Sequence, residues 1–566
     1  MGMIVESSGI LGNRESTMRR IADGSASGQV DRPSRKYQPD RGGASSNRAS
    51  RNQAIVRSMI GLVGLGVVWR VVRYATGQPL WGDEAFLAVN LLLRDPAGLL
   101  RPLDYYQIAP VGFLWGELAV VGWLGKSEWV LRLIPFLSGL ASLGLFVRFA
   151  SKTLDRRSAL MAVGILAAAF YPVRHATEIK PYATDLLFSM MTTTLAWSVW
   201  LDRESARRWL ILGGLVALGV WCSYPLVFVV AGVGVVLGLG VAARPSRRSV
   251  LLYLGFGTIG ATSWLASYIL VAREQAKSAP FYTSLQTWEG AFPPFEACWK
   301  MGSWLLDVHT GNMLAYPHGG NNFASVGTAV LVAVGAWTLL RSRPALLAIL
   351  LSPLAANLLA ACLRRYPYGT SARTSLFMAP AFCLLAGVGM VALIRKVPGA
   401  RRRRLYRLAT AGMAGLILVM TVVDLAWPYK NYEDGLNRRA IVDLARRTGP
   451  GDRWIGYDGV ESLPLSNRLM LEHWLQQMAE VKYNVLAKAP VPVDWMPPEG
   501  KVRVAENGRT WLIVHRSGCP DFDEARLDRL KASLASRLGT PSSRVDRLTR
   551  GESIESHEYP ASGADR

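Results

Sequence analysis

Cysteine and histidine are scarce in this sequence, which has five cysteines and six histidines among 566 residues. The cysteines show no C-x-x-C spacing, which argues against a metal cluster. Cys222, Cys362 and Cys383 fall in apolar runs and are predicted to be packing residues. Cys298 and Cys519 fall in segments that we expect outside the membrane, where a disulfide is permitted, although nothing in the sequence indicates that they pair.

Long stretches of the chain also lack charge. Half of the residues are hydrophobic. Between Ala54 and Trp427 they are concentrated in runs of about 16–24 residues, each long enough to cross a hydrocarbon core of about 30 Å. A large soluble protein would instead scatter its apolar residues at helical or strand period. The sequence therefore predicts an α-helical polytopic protein, integral to the cell (plasma or inner) membrane.

Acidic residues are outnumbered, because 64 Lys and Arg stand against 41 Asp and Glu, for a net charge of +23. The basic residues gather in short clusters between the apolar runs, such as residues 401–404, which is the positive-inside signature of cytoplasmic loops. No basic stripe interleaved with aromatic residues lies apart from the membrane segments. Nucleic acid is therefore not expected as a partner.

The basic loops predict about eleven spans with the N-terminus in the cytoplasm. Residues 1–53, rich in Ser, Gly and Arg, are predicted to be a disordered basic tail. The scheme requires Pro110–Gly125 to be an interfacial helix on the outer leaflet rather than a span. The loops that then face the cytoplasm are all basic, at 151–157, 201–208, 244–248, 341–343 and 396–404. The spans are predicted at about 54–74, 129–150, 158–173, 182–200, 209–223, 226–243, 249–271, 323–340, 344–362, 376–395 and 405–427.

The membrane module is thus expected at residues 54–427, with outer loops at 75–128, 174–181, 272–322 and 363–375. Residues 428–566 follow the last span and are polar and periodic enough to fold into a small extracytoplasmic α/β domain. Its strands are predicted at Arg453–Tyr457 and Thr510–His515, and its amphipathic helices at Ala440–Arg447 and Asp523–Ser536.

The first outer loop opens with the motif L-W-G-D-E-A at residues 80–85. Two adjacent acids beside a membrane are most often part of a solvated turn. Here Trp81 and Phe86 flank them and would draw the segment into the interface. A carboxylate in that environment is partly desolvated and suited to general-base chemistry. Asp83 and Glu84 are therefore candidate catalytic residues.

Two further outer loops carry unusual charge. The segment Y-P-V-R-H-A-T-E-I-K-P-Y-A-T-D at 171–185 holds five ionisable groups; snorkelling at two span ends would explain one or two of them, but not the mixture. The segment L-R-R-Y-P-Y-G-T-S-A-R at 363–373 is the most basic outer loop among the spans. Arginines there suit an anionic lipid headgroup, because the planar guanidinium binds phosphate oxygens bidentately. The alternative, a topology shifted by one span, conflicts with the five basic inner loops.

Four motifs resemble, in order and at similar spacing, the GT-C superfamily of integral-membrane glycosyltransferases. They are L-W-G-D-E-A, R-P-L-D-Y-Y-Q-I-A-P-V-G-F-L-W, E-I-K-P-Y-A-T-D and R-Y-P-Y-G-T-S-A-R. The closest resemblance is to the family-39-like group that includes protein O-mannosyltransferases and the aminoarabinose transferases of lipid A, and it covers about residues 54–427. The acidic pair after the first span is the most specific of these motifs.

The resemblance implies transfer of a sugar from a polyprenyl-phosphate-linked donor, with inversion, to an extracytoplasmic acceptor that is a protein, a lipid or a cell-envelope glycan. Asp83 matches the family's catalytic base. The aminoarabinose transferases place a phosphate-binding lysine just before the proline that starts the interfacial helix, whereas this chain has Gln107-Ile108-Ala109-Pro110. The candidates for binding the donor phosphate are then Lys180, Arg364, Arg365 and Arg373.

Other residues of these loops are candidates for holding the sugar or the loop itself, with Glu178 and Glu84 expected to orient Lys180 or to bind a sugar hydroxyl. The full set of substrate-binding candidates is Trp81, Tyr105, Tyr106, Gln107, His175, Glu178, Tyr182 and Asp185. No cofactor is indicated. Three carboxylates, at Asp83, Glu84 and Glu178, could ligate a divalent ion, but no spacing demands one.

Three other functions compete with the enzyme. A secondary transporter places ionisable groups near the bilayer midplane, whereas the unusual charges here collect on one face. A flippase for lipid-linked sugars shares the lipid but should not need the acidic pair. An inactive relative could use residues 428–566 as a binding module, although Asp83 and Lys180 are both present.

Overall fold

The computed structural model describes residues 41–278, 288, 290–427, 432–457, 493–495, 502–516, 522–547 and 553–561. The chain divides into two units, with the boundary between Arg51 and Asn52. Helix α1 (Arg41–Ala75) begins within the predicted tail. It extends N-terminally beyond its apolar stretch, so residues 41–53 are helical rather than disordered. The remainder of that tail and Cys519 lie outside the described residues.

Helices form most of the membrane module, as predicted. After α1 they follow in chain order as α2 (Gly82–Leu93), α3 (Val111–Leu124), α4 (Leu133–Thr153), α5 (Arg156–Ala167), α6 (Phe170–His175), α7 (Tyr182–Leu201), α8 (Ala206–Cys222), α9 (Leu226–Ala243), α10 (Arg247–Ser267), α11 (Arg273–Ser278), α12 (Met301–Thr310), α13 (Val326–Ser342), α14 (Pro344–Cys362), α15 (Ala379–Arg395) and α16 (Gly399–Ala426).

Seven helical stretches of the described chain are long and apolar enough to cross a membrane. They are Asn52–Ala75, Val130–Thr153, Leu226–Ala243, Arg247–Ser278, Pro344–Cys362, Leu376–Arg395 and Gly399–Ala426. Four of the predicted spans, corresponding to α5, α7, α8 and α13, are shorter or less apolar than these. The count of about eleven spans therefore stays a prediction.

The predicted span at 158–173 is not one continuous helix, because the helix is interrupted between α5 and α6. The buried guanidinium of Arg70 in α1 donates to the carbonyl oxygens of Leu166 at 3.4 Å and Ala167 at 3.3 Å. These are the last carbonyls of α5, and such carbonyls have no partner within their own helix. Arg70 therefore satisfies the end of α5, and α6 leads on into the second outer loop.

Two predicted boundaries are confirmed. The long apolar run at 209–243 is divided at Pro225, with α8 ending at Cys222 and α9 starting at Leu226. The predicted interfacial helix is α3, which starts directly after Pro110. A fixed proline φ suits the entry to a helix but not its interior, so each proline marks a boundary.

Close helix packing in the membrane depends on small residues. Helices α13 and α15 cross where Gly335 faces Gly389. A Cβ atom at Gly335 would lie 1.9 Å from the carbonyl oxygen of Leu385, and one at Gly389 would lie 1.9 Å from that of Leu331. No larger residue fits either position, which is the usual way in which small residues allow membrane helices to approach.

The C-terminal part forms the predicted small α/β domain. Its sheet has the order β2-β1-β3-β5-β4, in which β2, β1 and β3 run parallel and β3, β5 and β4 run antiparallel. Helix α18 buries Leu527, Leu530 and Leu534, at helical spacing, in the domain core. The elements are α17 (Tyr432–Arg447), β1 (Arg453–Tyr457), β2 (Val493–Trp495), β3 (Thr510–Arg516), α18 (Glu524–Leu538), β4 (Ser542–Arg547) and β5 (Ser553–Tyr559).

Sidedness generates a direct prediction. A single cysteine introduced at the exposed residue Asn507 should react with an impermeant thiol reagent in intact cells, because the C-terminal domain is predicted to lie outside. A cysteine at the exposed residue Pro245, in a basic inner loop, should react only after permeabilisation. Labelling is measured in a background that lacks the exposed Cys298. Protection at 507 together with reaction at 245 would invert the topology.

Candidate active site

Asp83 lies in the first turn of α2, where the helix dipole and unpaired backbone N–H groups favour a carboxylate. Trp81 precedes the helix, and its carbonyl accepts hydrogen bonds from the N–H groups of Glu84 at 2.8 Å and Ala85 at 3.0 Å. The Trp81 N–H donates in return to Oε2 of Glu84 at 3.3 Å. The L-W-G-D-E-A motif is therefore a helix start, and it gives the two acids different directions.

Glu84 is fully buried, and its carboxylate joins two loops. Arg132 donates to it from Nε at 2.9 Å and from Nη2 at 2.6 Å. The backbone N–H of Ile179, in the second outer loop, donates to the same carboxylate at 2.8 Å. Glu84 was expected to orient Lys180 or to bind a sugar hydroxyl. Its oxygens are already engaged, and it acts on Lys180 through the backbone of the preceding residue.

The second outer loop is held by its own charged cluster. The carboxylate of Glu178 accepts from Nε of Arg174 at 2.7 Å and lies 2.7 Å from Nδ1 of His175. Burial alone would raise the pKa of Glu178, but His175 and Arg174 hold that pKa well below its ordinary value. The Glu178 carbonyl also accepts from the N–H of Lys180 at 2.8 Å. Glu178 and His175 therefore shape the loop that presents Lys180.

Two cations meet at Asp83. Its carboxylate lies 3.3 Å from Nζ of Lys180 and 3.3 Å from Nη1 of Arg373. Burial would raise the pKa of Asp83, but the charges of Lys180 and Arg373 outweigh burial and hold that pKa below its ordinary value. Asp83 is therefore a carboxylate at neutral pH, in a site where charges interact strongly because little water reaches them.

Gln107, three residues before Pro110, contacts Lys180. Its side-chain oxygen accepts from Nζ of Lys180 at 2.7 Å, and its amide nitrogen donates to the carbonyl of Tyr105 at 3.3 Å. Tyr105 and Tyr106 both have left-handed backbone angles, with φ of 59° and 56°. Such angles are unfavourable for bulky residues and are retained where the surrounding structure imposes them.

The basic outer loop at 363–375 contributes one of its three candidate arginines to Asp83. Arg373 reaches the carboxylate, and its guanidinium also lies 5.7 Å from the ring centre of Trp288. Arg364 is exposed and pairs with Glu296 at 3.3 Å, and Arg365 is exposed. The part of the predicted phosphate site that the structure assembles is thus Lys180 with Arg373.

The remaining candidates lie around this cluster. Tyr182 is half-buried with its ring edge-on to His175 at 5.0 Å, and Asp185 is buried one turn further along α7. Trp81 and Tyr106 are half-buried in the first loop. In the part of the chain that the structure describes, no group of three or more His, Cys, Asp or Glu side chains is arranged to hold a metal ion.

Comparison with known proteins identifies the fold. The family model described as dolichyl-phosphate-mannose-protein mannosyltransferase matches residues 110–266. ArnT from Cupriavidus metallidurans in the apo state is 14% identical, with a TM-score of 0.52 over 91% of this chain and 98% of that chain. ArnT bound to undecaprenyl phosphate is also 14% identical, with a TM-score of 0.53 over 88% of this chain and 98% of that chain. The chain has the fold of the GT-C glycosyltransferases.

A more distant GT-C structure shows weaker likeness. The archaeal oligosaccharyltransferase AglB from Archaeoglobus fulgidus, in complex with an inhibitory peptide and a dolichol-phosphate, is 12% identical, with a TM-score of 0.43. The similarity covers 81% of this chain and 69% of that chain. No curated protein matches the chain.

Some residues that support the candidate site could not be found from the sequence. Arg132, the partner of Glu84, is one. A second is the ion pair between Arg73 of α1 and Asp424 of α16, which is buried inside the membrane module. Arg73 also donates to Thr177 Oγ1 at 2.9 Å, and the Trp69 indole donates to Asp424 at 2.7 Å. A lone acid in the last apolar run was the available signal, but a single sequence does not say which arginine faces it.

The Glu84–Arg132 pair should dominate the stability of the site. Arg132→Ala leaves a buried carboxylate without its cation, and the loss of one partner of a buried pair typically costs about 3–5 kcal/mol. We expect a fall of that size in the free energy of unfolding, measured by SDS titration in mixed micelles. Lys277→Ala is the control, because its pair with Glu274 is about half exposed, at 57% and 49%, and exposed ion pairs contribute little to stability. Equal losses in both variants would contradict the structural role of Arg132.

Proposed function

We propose that this protein transfers a sugar from a polyprenyl-phosphate-linked donor to a hydroxyl of an extracytoplasmic acceptor, with inversion at the anomeric carbon. The observation that carries the proposal is a mostly buried Asp83 carboxylate that lies 3.3 Å from both Lys180 and Arg373. The GT-C fold supports it, as does the solved ArnT structure that contains undecaprenyl phosphate. The acceptor class is a protein, a lipid or a cell-envelope glycan.

Asp83 acts as the general base. It takes the proton of the acceptor hydroxyl as the oxygen attacks the anomeric carbon from the face opposite the leaving group, which inverts the configuration. A carboxylate can do this only while it is ionised. The two cations that lower the pKa of Asp83 therefore keep it in its reactive form at neutral pH.

Lys180 and Arg373 bind the donor phosphate. The bond to the anomeric carbon breaks with its electrons on the phosphate oxygen, and this developing charge needs fixed cations rather than an acid. Lysine contributes a compact charge, and arginine contributes a planar fork that matches two phosphate oxygens.

The same cations link donor binding to the strength of the base. Both cations pair with Asp83. A bound phosphate shares them, weakens their hold on the carboxylate and makes Asp83 more basic when a donor is in place. The site is therefore most reactive once the donor is bound.

Asp83→Asn should abolish turnover while donor binding survives. The change keeps volume and removes basicity, and general-base catalysis typically contributes about 10²–10⁴-fold. Consumption of radiolabelled polyprenyl-phosphate sugars by the purified protein measures turnover, and binding of the same donors measures affinity. Asp95→Asn, an exposed acid of the same loop, is the matched control and should keep full activity. Turnover of Asp83→Asn within about tenfold of wild type would remove Asp83 from the role of base.

Lys180→Ala and Arg373→Ala should each weaken use of the donor by at least about tenfold, which corresponds to 1.4 kcal/mol. Arg373→Lys should recover part of the loss, because a point charge does not replace the fork. The variants are compared by kinetics at saturating acceptor and varied donor. Arg101→Ala, exposed in the first loop, is the control.

The pH profile gives a second readout of Lys180→Ala. A carboxyl with a lowered pKa keeps its charge to lower pH, and activity is lost as pH falls through that pKa. Removing Lys180 raises the pKa of Asp83, so the acid limb should move to higher pH. An unchanged donor dependence and an unchanged limb would place the phosphate elsewhere.

A further inference from the structure

The C-terminal domain contacts the first outer loop through one arginine. Nη2 of Arg438, in α17, lies 2.9 Å from Oε1 of Glu128. Nη1 of the same residue donates to the carbonyl oxygen of Gly77 at 3.5 Å. Glu128 is buried, with 8% of its surface exposed. An ion pair with one buried partner holds its geometry more firmly than a surface pair does, because water competes less for the buried group.

Arg438 and Arg132 together donate hydrogen bonds to three consecutive backbone carbonyls of the first outer loop. Arg438 binds the carbonyl of Gly77, and Arg132 binds those of Gln78 and Pro79, the latter at 3.2 Å. One arginine belongs to the C-terminal domain and the other to the membrane module. The last of these carbonyls belongs to Pro79, two residues before Trp81, where the turn that carries Asp83 begins.

The backbone of residues 77–79 has little conformational freedom. Gly77 has a φ of +54°, a conformation that favours glycine, and a Cβ there would lie 2.5 Å from the ring of Trp129. Trp129 directly follows Glu128, so the glycine and the acid that Arg438 contacts lie side by side. The Tyr74 hydroxyl, at the end of α1, donates to the Trp129 carbonyl at 2.8 Å. Arg438 thus closes a contact between α17, the start of the first loop and its end.

We propose that the C-terminal domain acts on the active site through Arg438, a positioning residue that holds the first outer loop so that Asp83 stays between Lys180 and Arg373. This rests on the proposed function for its catalytic readout. Loss of Arg438 releases the carbonyl of Gly77 and leaves Glu128 without this cation. The turn that carries Asp83 then moves more, and the Asp83 carboxylate is often out of position for proton transfer. Lys180 and Arg373 can still bind the donor phosphate.

Arg438→Ala should lower kcat by about fivefold or more, because a misplacement of about 1 Å caused by a mutation far from the chemistry can cost about 10²-fold in rate, and should change the donor KM by less than about twofold. Arg438→Lys should restore part of the kcat, because an ammonium still pairs with Glu128. Arg439→Ala, an exposed neighbour on the same helix, should behave as wild type. A donor KM that rises as much as kcat falls, or no effect of Arg438→Ala at all, would overturn the positioning role.

Hydrogen exchange tests the same contact without any assay of transfer. Amides of residues 77–84 should exchange faster in Arg438→Ala than in Arg439→Ala, and Arg438→Lys should lie between them. Glu128→Gln should give a similar increase, and combining it with Arg438→Ala should add little, because the two side chains act as a unit. Unchanged exchange at 77–84 would overturn the proposal even if the protein is a transferase. Faster exchange in a protein that consumes no polyprenyl-phosphate sugar would support the contact and reject the proposed function.

Discussion

The buried ion pair between Glu84 and Arg132 is the constraint on which the site depends. It ties the start of α2 to the start of α4, and the Ile179 N–H adds the second outer loop to the same carboxylate. A buried carboxylate is stable only when it is paired and hydrogen-bonded. Glu84 therefore fixes its neighbour Asp83 on one side and Lys180, next to Ile179, on the other. Adjacent acids in one motif thus divide the work between structure and chemistry.

The arrangement around Asp83 balances two opposing effects. Burial alone would protonate the carboxyl, which would remove the base, whereas full exposure would hydrate it and weaken its interactions. Lys180 and Arg373 allow Asp83 to be buried and charged at the same time. The cost is that these cations lower its basicity until another anion shares them. The phosphate of the proposed donor is such an anion.

The fold class and the loop motifs could be predicted from the sequence because both depend on local signals. Apolar runs, basic inner loops and the prolines at 110 and 225 act within one segment, and the structure has the predicted helix boundaries at both prolines. Arg70, which caps the end of α5 after Ala167, could not be found from the sequence because it lies on another helix. Arg132 and the Arg73–Asp424 pair were missed for the same reason, since partners so far apart in the chain are joined only by folding. Of the three candidate arginines at 363–373, the sequence favours Arg373 because it opens the next span, and Arg373 is the one that reaches Asp83.

Lys180 shows how the site depends on residues outside its own loop. A lysine just before Pro110 would be carried by the first loop itself, whereas Lys180 reaches Gln107 from the second loop. Its position therefore depends on the Glu178 cluster and on Thr177, which is bound by Arg73 in α1. Arg73 in turn pairs with Asp424 in the last turn of α16, directly ahead of the C-terminal domain. Lys180, the proposed phosphate ligand, is thus supported by the first and last helices of the membrane module. Asp424, which supports Lys180 through Arg73, lies directly before the C-terminal domain. Arg438, in that domain, contacts the first outer loop, which carries Asp83.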